Sequence, residues 1–290
     1  MRVNNKILQK ALDDCAILVN KKIDKLLTSK DLPKLYLPDL LDAMRYSSLT
    51  EAKRIRPFLM MTCAELLNVS KTRSIKAAVA IEFVHIYSLI HDDLPAMDDD
   101  NYRRGELTCH KKFNEATAIL AGDALLTYAF EILSNPKTVE NPEMRCELVA
   151  LISRGAGFRG MIAGQMIDIK LKGQKLTKEK IIELQKLKTG ELFIVCSEAA
   201  SIIANANIGS RNALKNYAAN LGLAFQIRDD ILDYNDNKRD NANIVSVIGI
   251  EEATKELEII KEKALSALNI FDFRADLLRD LIGFVVARKK

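Results

Sequence analysis

The sequence predicts an all-α fold, built as one domain over residues 1–290, and three observations support this. Hydrophobic residues make up 48% and charged residues 28%, the balance of a globular protein that can bury a core. Only 12 glycines and 6 prolines punctuate the chain, too few for the frequent turns of a β-sandwich. Apolar residues recur at helical spacing, and no segment shows the alternation of a strand. No fixed repeat or long linker divides the chain, so one domain is expected.

The helices are predicted in order from this spacing. Residues 3–28 carry apolar side chains on one face and charges on the other, which is typical of a surface helix. Residues 74–91 are far more apolar and are expected to be central. Short breaks with turn-forming residues separate the segments. The full set of predicted helices is 3–28, a stretch after Pro38, Pro57 to Leu67, 74–91, 115–134, 143–172, 177–205, 211–234 and 251–286.

Charge and cysteine content exclude several classes of protein. The 43 basic and 39 acidic residues are spread along the chain, which does not favour nucleic-acid binding. The 5 cysteines are odd in number and lack C-x-x-C spacing, so we expect reduced thiols in a cytoplasmic protein. No stretch reaches about 18 uncharged apolar residues, so we expect no membrane insertion. No signal peptide is recognisable.

A first acidic cluster directly follows the apolar run 86–90. Carboxylates this dense repel one another, and burying them is costly unless cations compensate. A solvated acidic loop is the simpler interpretation, but two arginines follow closely, as expected where divalent metal and phosphate bind together. The cluster consists of Asp92, Asp93, Asp98, Asp99 and Asp100, followed by Arg103 and Arg104.

A second acidic cluster lies in a predicted helix. Asp229 and Asp233 are four residues apart and Asp230 and Asp233 three apart, so all three are expected on one helical face. Gln226 lies one turn earlier on that face. The only basic residue close by in the sequence, Arg228, is expected to point elsewhere. The pattern therefore favours metal binding over surface ion pairs.

Magnesium and a diphosphate suit two such clusters. Mg²⁺ binds through one or two carboxylates and completes its coordination with waters and substrate phosphates. Zinc or di-iron sites would need histidines at fixed helical offsets from the carboxylates, and these spacings are absent from the sequence. The two clusters are therefore predicted to form two walls of one cavity that holds Mg²⁺.

The motifs between residues 53 and 234 closely resemble those of the trans-polyprenyl diphosphate synthases, in the same order along the chain. The two aspartate clusters match the family's two aspartate-rich motifs, and four shorter motifs accompany them. The matching segments are Lys53 to Pro57, His85 to Asp98 with Arg103 to Gly105, Ala121 to Ala124, Gly164-Gln165 with Asp168, Lys188 to Gly190, and Asp229 to Asp233.

The resemblance implies a helical bundle around a central cavity, the isoprenoid synthase fold, and usually a homodimer. It implies that isopentenyl diphosphate is joined to an allylic diphosphate with release of pyrophosphate. Mg²⁺ would be held by Asp92, Asp98 and Asp229, and would neutralise the departing diphosphate. Asp93 and Asp233 would support these ligands without binding the metal themselves.

The same matching implies a place for each substrate. Lys188, Arg103 and Gln226 would contact the allylic diphosphate, and Thr189 would lie beside its reacting end. Isopentenyl diphosphate would be held by Lys53, Arg56, His85 and Arg104. The charge of Lys188 and Arg103 would stabilise the leaving group, and the arginines suit bidentate contact with phosphate. Taken singly, each motif has a structural explanation, such as a helix cap, a core amide or a core histidine.

Product length is predicted from Tyr87, five residues before Asp92. Five helical residues span about 7.5 Å, so this ring would lie beneath the reacting carbons. In the family an aromatic residue here accompanies a fifteen-carbon product, which implies farnesyl diphosphate; a geranylgeranyl product is the alternative. Ser88 and the four-residue spacer Leu94 to Met97 agree with the bacterial short-chain type. A core tyrosine without a steering role is the structural alternative.

Two departures from the family pattern keep other functions open. Glu51-Ala52 stands where the family usually has Gly-Gly, and Tyr234 to Asn243 is about ten residues shorter than the family's segment. Lys238 and Arg239 are candidates for the family's missing lysine. A catalytically weak, regulatory subunit of a prenyl synthase is therefore an alternative. A terpene cyclase is not favoured, because its Asn-Ser/Thr-Glu pattern is absent at 229–237.

Overall fold

The computed structural model describes residues 5–29, 38–234 and 243–289, and these are almost entirely helical. The fourteen α-helices of the described residues are α1 Asn5–Leu26, α2 Pro38–Leu49, α3 Ile55–Leu66, α4 Lys71–Asp92, α5 Cys109–Lys112, α6 Glu115–Ser134, α7 Pro142–Ala156, α8 Met161–Leu171, α9 Lys178–Gln185, α10 Glu191–Ile203, α11 Ile208–Asp233, α12 Val245–Ile248, α13 Ile250–Ala267 and α14 Asp276–Ala287. The predicted all-α class is confirmed. Lys238 and Arg239 lie outside the described residues.

Two predicted helices are each divided in two. The segment 143–172 is interrupted between α7 and α8, where Gly157 and Gly160 form a turn closed by a 3.0 Å backbone hydrogen bond. Glycine in a helix interior is costly, which explains the break. The segment 251–286 is interrupted between α13 and α14, where Asp272 accepts a hydrogen bond from the backbone N–H of Arg274 and starts a short 3₁₀ turn. In both cases the hydrophobic periodicity continued across the break and hid it.

The predicted helix 177–205 is continuous but changes its winding. Between α9 and α10, residues Lys186–Gly190 form a π-helical segment. Such segments are rare, and they often occur at functional sites. This one contains the Lys188-Thr189-Gly190 motif. Sequence spacing alone cannot distinguish it from an ordinary helical turn.

A small hairpin contradicts the prediction that no strand is present. Tyr102–Arg103 (β1) and Glu106–Leu107 (β2) pair antiparallel. The two residues between them, Arg104 and Gly105, have φ values of 53° and 82°. A two-residue loop with both φ values positive is the turn that matches the twist of a hairpin. The strands are too short for side-chain alternation to reveal them.

Helix α3 also begins earlier than predicted. It starts at Ile55, so that Pro57 occupies its first turn rather than its first residue. The Phe58 N–H donates to the carbonyl of Arg54 at 2.9 Å.

The chain divides into two compact units. We call Lys10–Met61 with Ser70–Val149 the N-terminal unit, and Met1–Gln9 with Thr62–Val69 and Ala150–Lys290 the C-terminal unit. The prediction of a single domain stays a prediction. In the N-terminal unit, α4 packs chiefly against α6, and thirteen of its residues are buried. Gly122 of α6 permits this approach, since a Cβ there would lie 2.2 Å from His91 Nε2.

In the C-terminal unit, α11 is the central helix. It packs against α10, α13 and α14 and against the π-helical segment. Its fully buried Tyr217 donates a hydrogen bond to the carbonyl of Leu278 at 2.6 Å, which ties α11 to α14. Gly222 lies against the π-helical segment, where a Cβ would be 3.0 Å from Gly190 Cα. The segment is thus held close to the second aspartate cluster on α11.

Two described helices, α4 and α6, are long and apolar enough to cross a membrane by length and composition. This differs from the expectation that no segment would qualify. The apolar window of α4 is 72% buried inside the protein, as in a core helix, whereas that of α6 is only 39% buried. Two such helices are weak evidence for a membrane protein.

Candidate active site

The first aspartate cluster lies at the end of α4 in the N-terminal unit. Asp92 is the last residue of the helix, and the Asp98 N–H donates to its backbone carbonyl at 2.9 Å. The turn between them therefore returns the chain, so that two of the predicted metal ligands are adjacent. Asp98, Asp99 and Asp100 are exposed, and Asp99 has a left-handed φ of 54°.

Asp93 has a different role from its neighbours. It is buried, and Arg103 Nε donates to its two carboxylate oxygens at 2.7 and 2.9 Å. Burial raises the pKa of Asp93, although the positive charge of Arg103 opposes this. Arg103 also reaches Asp100 at 3.5 Å. The guanidinium predicted to contact the diphosphate is thus already oriented by this cluster.

Basic side chains gather around His85 in the same unit. Arg56 Nη1 lies 3.1 Å from His85 Nε2, and burial, followed by the charges of Arg56 and Arg104, lowers the pKa of His85 well below its usual range. The imidazole is therefore neutral at pH 7, with Nε2 as acceptor. The structure brings together three of the four residues predicted for isopentenyl diphosphate. The fourth, Lys53, is exposed, as is Glu51.

Arg54 is a residue that the sequence analysis did not select. Its side chain is fully buried and pairs with Glu82 of α4 at 2.8 Å. It also donates to the carbonyl of Ser48 at 2.5 Å and to Asn20 Oδ1 at 3.0 Å. This anchor fixes the segment that carries Lys53 and Arg56. Its left-handed φ of 50° is a strained conformation that these contacts stabilise.

Tyr87 is buried on α4, with 5% of its surface exposed. Its ring packs edge-on to His91 at 5.7 Å between centroids, and His91 Nε2 lies 3.1 Å from the carbonyl of Ile119. Among the described residues, the buried Tyr87 hydroxyl has no hydrogen-bond partner. Burial, with the nearby charge of Asp92, raises the pKa of Tyr87 to about 12.

In the C-terminal unit, α8 and the π-helical segment bring two motifs into contact. Lys188 Nζ donates to Asp168 Oδ2 at 2.6 Å. A Cβ on Gly164 would lie 2.3 Å from the Lys188 backbone nitrogen, so only glycine fits here. Both side-chain polar atoms of Gln165 are buried without hydrogen-bond partners among the described residues. The close approach of Gly164 to the Lys188 backbone explains the glycine of the Gly164-Gln165 motif.

The second aspartate cluster also faces the π-helical segment. Thr189 Oγ1 donates to Gln226 Oε1 at 2.9 Å, so two residues predicted to contact the allylic substrate are linked. Asp230 accepts from Gln185 Nε2 and from the Ile244 N–H, both at 2.8 Å. It is buried, and burial raises its pKa to about 7.

Asp230 therefore differs from the prediction that all three aspartates share one face. The exposed Asp233 and half-buried Asp229 are accessible, whereas Asp230 is turned inward and joins α11 to α9 and to the segment before α12. Asp229 and Asp230 are adjacent in sequence and therefore about 100° apart around the helix, so one can be accessible while the other is buried. The spacing predicts proximity, but burial depends on which elements cover the helix.

Among the described residues, a cation that pairs with the second cluster is Arg288, which the sequence analysis missed. Its guanidinium donates to Asp229 Oδ1 and lies over the ring of Phe225, 4.1 Å from the ring centroid. Arg228 points away from the aspartates, as expected, and its Nε donates to the Arg288 carbonyl at 2.8 Å. The second cluster therefore pairs with an arginine that is distant in sequence, although the basic residue close by does not pair with it. Arg288 is 59 residues away from Asp229 in sequence, and no local pattern indicates the contact.

The donor chemistry fits Mg²⁺, although no preformed group of three or more acidic, histidine or cysteine ligands occurs within the described residues. Mg²⁺ needs only one or two carboxylates and takes its other ligands from water and phosphate. Asp92 with Asp98, and Asp229 with Asp233, offer such oxygens at accessible positions. The buried Asp93 and Asp230 are committed to protein partners. This division is consistent with a supporting role for Asp93.

Comparison with solved structures defines the class of protein. An FPP/GFPP synthase from Zymomonas mobilis has a TM-score of 0.86 and 39% identity, covering 95% of this chain and 99% of its own. The fold is therefore the all-α isoprenoid synthase fold, as predicted.

The family follows from the sequence comparisons. The polyprenyl synthetase family model matches residues 38–246, and the chain belongs to this family. A farnesyl diphosphate synthase of Micrococcus luteus is 40% identical over 261 residues, 86% of this chain and 89% of that protein. A geranylgeranyl diphosphate synthase of Cyanophora paradoxa is 36% identical over 273 residues, 90% and 91% of the two chains. The prediction of a prenyltransferase is confirmed.

Proposed function

We propose that the protein condenses isopentenyl diphosphate with dimethylallyl or geranyl diphosphate to form farnesyl diphosphate, with release of pyrophosphate. The relatives named farnesyl diphosphate synthase support the reaction. The observation that carries the choice of product is Tyr87, which is buried on α4 five residues before Asp92.

Both aspartate clusters serve the departing diphosphate in this proposal. Asp92, Asp98 and Asp229 would hold Mg²⁺, and Asp93 and Asp233 would orient these ligands. When bound, the metal supplies positive charge that stabilises the leaving pyrophosphate. The adjacency of Asp92 and Asp98 and the accessibility of Asp229 support this assignment.

The allylic diphosphate is assigned to Lys188, Arg103, Gln226 and Thr189. Lys188 and Arg103 supply positive charge to the leaving group, and Gln226 contributes an amide. Thr189 lies beside the reacting end and is oriented by its 2.9 Å hydrogen bond to Gln226. Asp168 holds Lys188 at 2.6 Å and so fixes the ammonium before substrate binds. Preorganised charge of this kind requires no rearrangement during the reaction.

Isopentenyl diphosphate is assigned to Lys53, Arg56, His85 and Arg104. The arginines can contact phosphate oxygens in a bidentate manner, whereas Lys53 acts as a point charge. The neutral His85 accepts from Arg56 and thereby positions it. The double bond of this substrate then attacks the allylic carbon as the carbon–oxygen bond to diphosphate breaks. The released pyrophosphate removes the proton, so no dedicated protein base is required.

Tyr87 limits the length of the product. A further isoprene unit would overlap its ring, and such steric exclusion discriminates more strongly than one methylene in a roomy pocket. A geranylgeranyl product is the second candidate, and the Cyanophora paradoxa relative of that name favours it. The buried aromatic ring at this position favours the shorter product.

We further propose a cytoplasmic homodimer. Helix α6 is apolar, yet its window is only 39% buried within the chain, and Ile119 and Leu120 are 43% and 57% exposed. A second copy of the chain would cover this face, because large exposed apolar surfaces mark interaction sites. None of the five cysteines, all among the described residues, forms a disulfide, as in a reducing compartment.

The test is Mg²⁺-dependent release of pyrophosphate from the purified protein with isopentenyl and geranyl diphosphates. Release that disappears with a chelator supports the proposal. A regulatory subunit, the remaining alternative, would release none until an active partner was added. Light scattering on the same preparation measures the oligomeric state, and a monomer would contradict the dimer.

A further inference from the structure

We infer that Arg288 is a positioning residue that holds Asp229 in the metal-free protein and sets the metal affinity of the second aspartate cluster, because a divalent cation must displace it. The inference rests on the proposed metal role of Asp229. It concerns a residue outside the motifs between residues 53 and 234 that carry the resemblance to the family.

The contact between Arg288 and Asp229 is built into the C-terminal unit. The Arg288 side chain is 11% exposed, and its guanidinium packs 4.1 Å from the centroid of the Phe225 ring. Its Nη2 also donates to the Phe225 carbonyl at 3.0 Å. Arg228 fixes the backbone at Arg288 by donating to its carbonyl at 2.8 Å. Surface ion pairs gain little, but these contacts restrain the guanidinium before it pairs.

The guanidinium provides the charge that a metal would otherwise provide. Asp229 and Asp233 lie on the last turns of α11, and both stabilise the charged form of Arg288. Burial opposes this effect and lowers the pKa of Arg288, with Arg228 adding to the decrease. An arginine remains charged in such surroundings. Arg288 thus supplies Asp229 with positive charge without a metal.

Competition follows from this arrangement. A dication bound to Asp229 would lie close to the guanidinium, and like charges at short distance repel. Arg288 therefore weakens metal binding. Arg103 pairs with Asp93 in the N-terminal unit in a similar way, but Asp93 is buried and is not a proposed ligand. Of these two arginines, only Arg288 contacts a carboxylate assigned to the metal.

The experiment measures Mn²⁺ binding without substrates, by the electron paramagnetic resonance signal of free Mn²⁺. Arg288→Gln removes the charge, and Arg288→Met keeps an apolar stem against Phe225 if the glutamine variant folds poorly. Arg274→Gln is the matched control, because Arg274 pairs with Asp272 at 2.9 Å on the surface of the same unit. We expect both Arg288 variants to bind Mn²⁺ about fivefold more tightly, and the control to bind as the wild type does.

A second measurement separates displacement from a general change of the fold. Without metal, we expect Arg288→Gln to lower the Tm, and we expect the difference from wild type to narrow at saturating Mn²⁺. In an Asp229→Asn background, Arg288→Gln should no longer change the Mn²⁺ affinity. Equal or weaker binding by Arg288→Gln and Arg288→Met would overturn the inference. The inference would also be overturned if Arg288→Gln increased the Mn²⁺ affinity equally in the Asp229→Asn background. It would be overturned as well if neither the wild type nor any variant bound Mn²⁺.

These measurements involve no turnover. A protein that fails to make farnesyl diphosphate, but binds Mn²⁺ more tightly without Arg288, would contradict the proposed function and leave this inference intact. An enzyme that makes farnesyl diphosphate, but whose Mn²⁺ affinity does not depend on Arg288, would contradict this inference and leave the proposed function intact.

Discussion

Lys188 of the π-helical segment donates a 2.6 Å hydrogen bond to Asp168 of α8, and the two side chains are equally exposed, at 30%. The ion pair holds the ammonium in place while leaving it accessible. The π-helical segment that carries Lys188 contacts both α8 and α11. The first prediction tests the function of this lysine.

Lys188→Gln should lower kcat by about 10²- to 10³-fold, the usual effect of removing one group that stabilises developing negative charge. The folded state should persist, because the lost pair is partly exposed. Lys186→Gln, an exposed position in the same segment, is the control and should retain activity. Steady-state kinetics with varied allylic diphosphate check this. A Lys188→Gln variant as active as the control would remove Lys188 from the reaction.

The glycine beside this lysine is required by packing. In Gly164→Ala the new Cβ would lie 2.3 Å from the Lys188 backbone nitrogen, which cannot move as a side-chain end can. We expect a loss of about 2 kcal/mol or more in unfolding free energy, as for overpacked cores. Urea denaturation measures it. Gly209→Ala is the control, since its nearest contact is the Asn207 side chain at 3.3 Å. Equal stability of the two variants would show that the segment can shift.

The stability of the protein should depend on pH through His85. Burial and nearby arginines lower the pKa of His85 in the folded state, so between the folded and unfolded values the unfolded chain binds more protons. The stability contribution is fully present above about pH 6.5 and is lost as the pH falls toward the folded pKa. His85→Gln keeps an acceptor for Arg56 and should flatten this decline. Unfolding free energies measured between pH 7 and pH 5 check it. If the unfolding free energy of His85→Gln fell with pH as steeply as that of the wild type, the role of His85 in this pH dependence would be contradicted.

The metal assignment predicts that Asp92→Asn and Asp229→Asn each reduce turnover by about 10³-fold or more, because the charge that binds Mg²⁺ is lost while the shape is kept. Pyrophosphate release at saturating substrates checks this, with circular dichroism as the test of folding. Asp39→Asn, an exposed aspartate in the first turn of α2, is the control. Near-normal turnover in either cluster variant would show that its carboxylate does not bind an essential metal.

Much of the fold could be predicted because helical periodicity is a local signal. Helix α6 begins and ends at the predicted residues, and α1, α4 and α11 differ by a few residues. The breaks after Ala156 and Ala267 were missed, since the apolar periodicity continues on both sides of them. The hairpin was missed because its strands have two residues each.

The resemblance to the family predicted which residues share a substrate, even where they are distant in sequence. Thr189 and Gln226 are in contact, and so are Arg56 and His85. Contacts to which the resemblance assigned no role could not be predicted from one chain. The pairing of Arg54 with Glu82 is an example, and the charge argument for metal failed to anticipate Arg288. Density of carboxylates indicates that cations are needed, but it does not distinguish a metal from an arginine.

The most direct test of the central claim is chromatography of the dephosphorylated products formed from isopentenyl and geranyl diphosphates with Mg²⁺. The wild type should yield the fifteen-carbon alcohol, because the buried Tyr87 ring stops growth there. Tyr87→Ala should yield the twenty-carbon alcohol, and Tyr87→Phe, which keeps the ring, should resemble the wild type. A wild-type enzyme that makes twenty carbons, or an alanine variant that still stops at fifteen, would contradict the account.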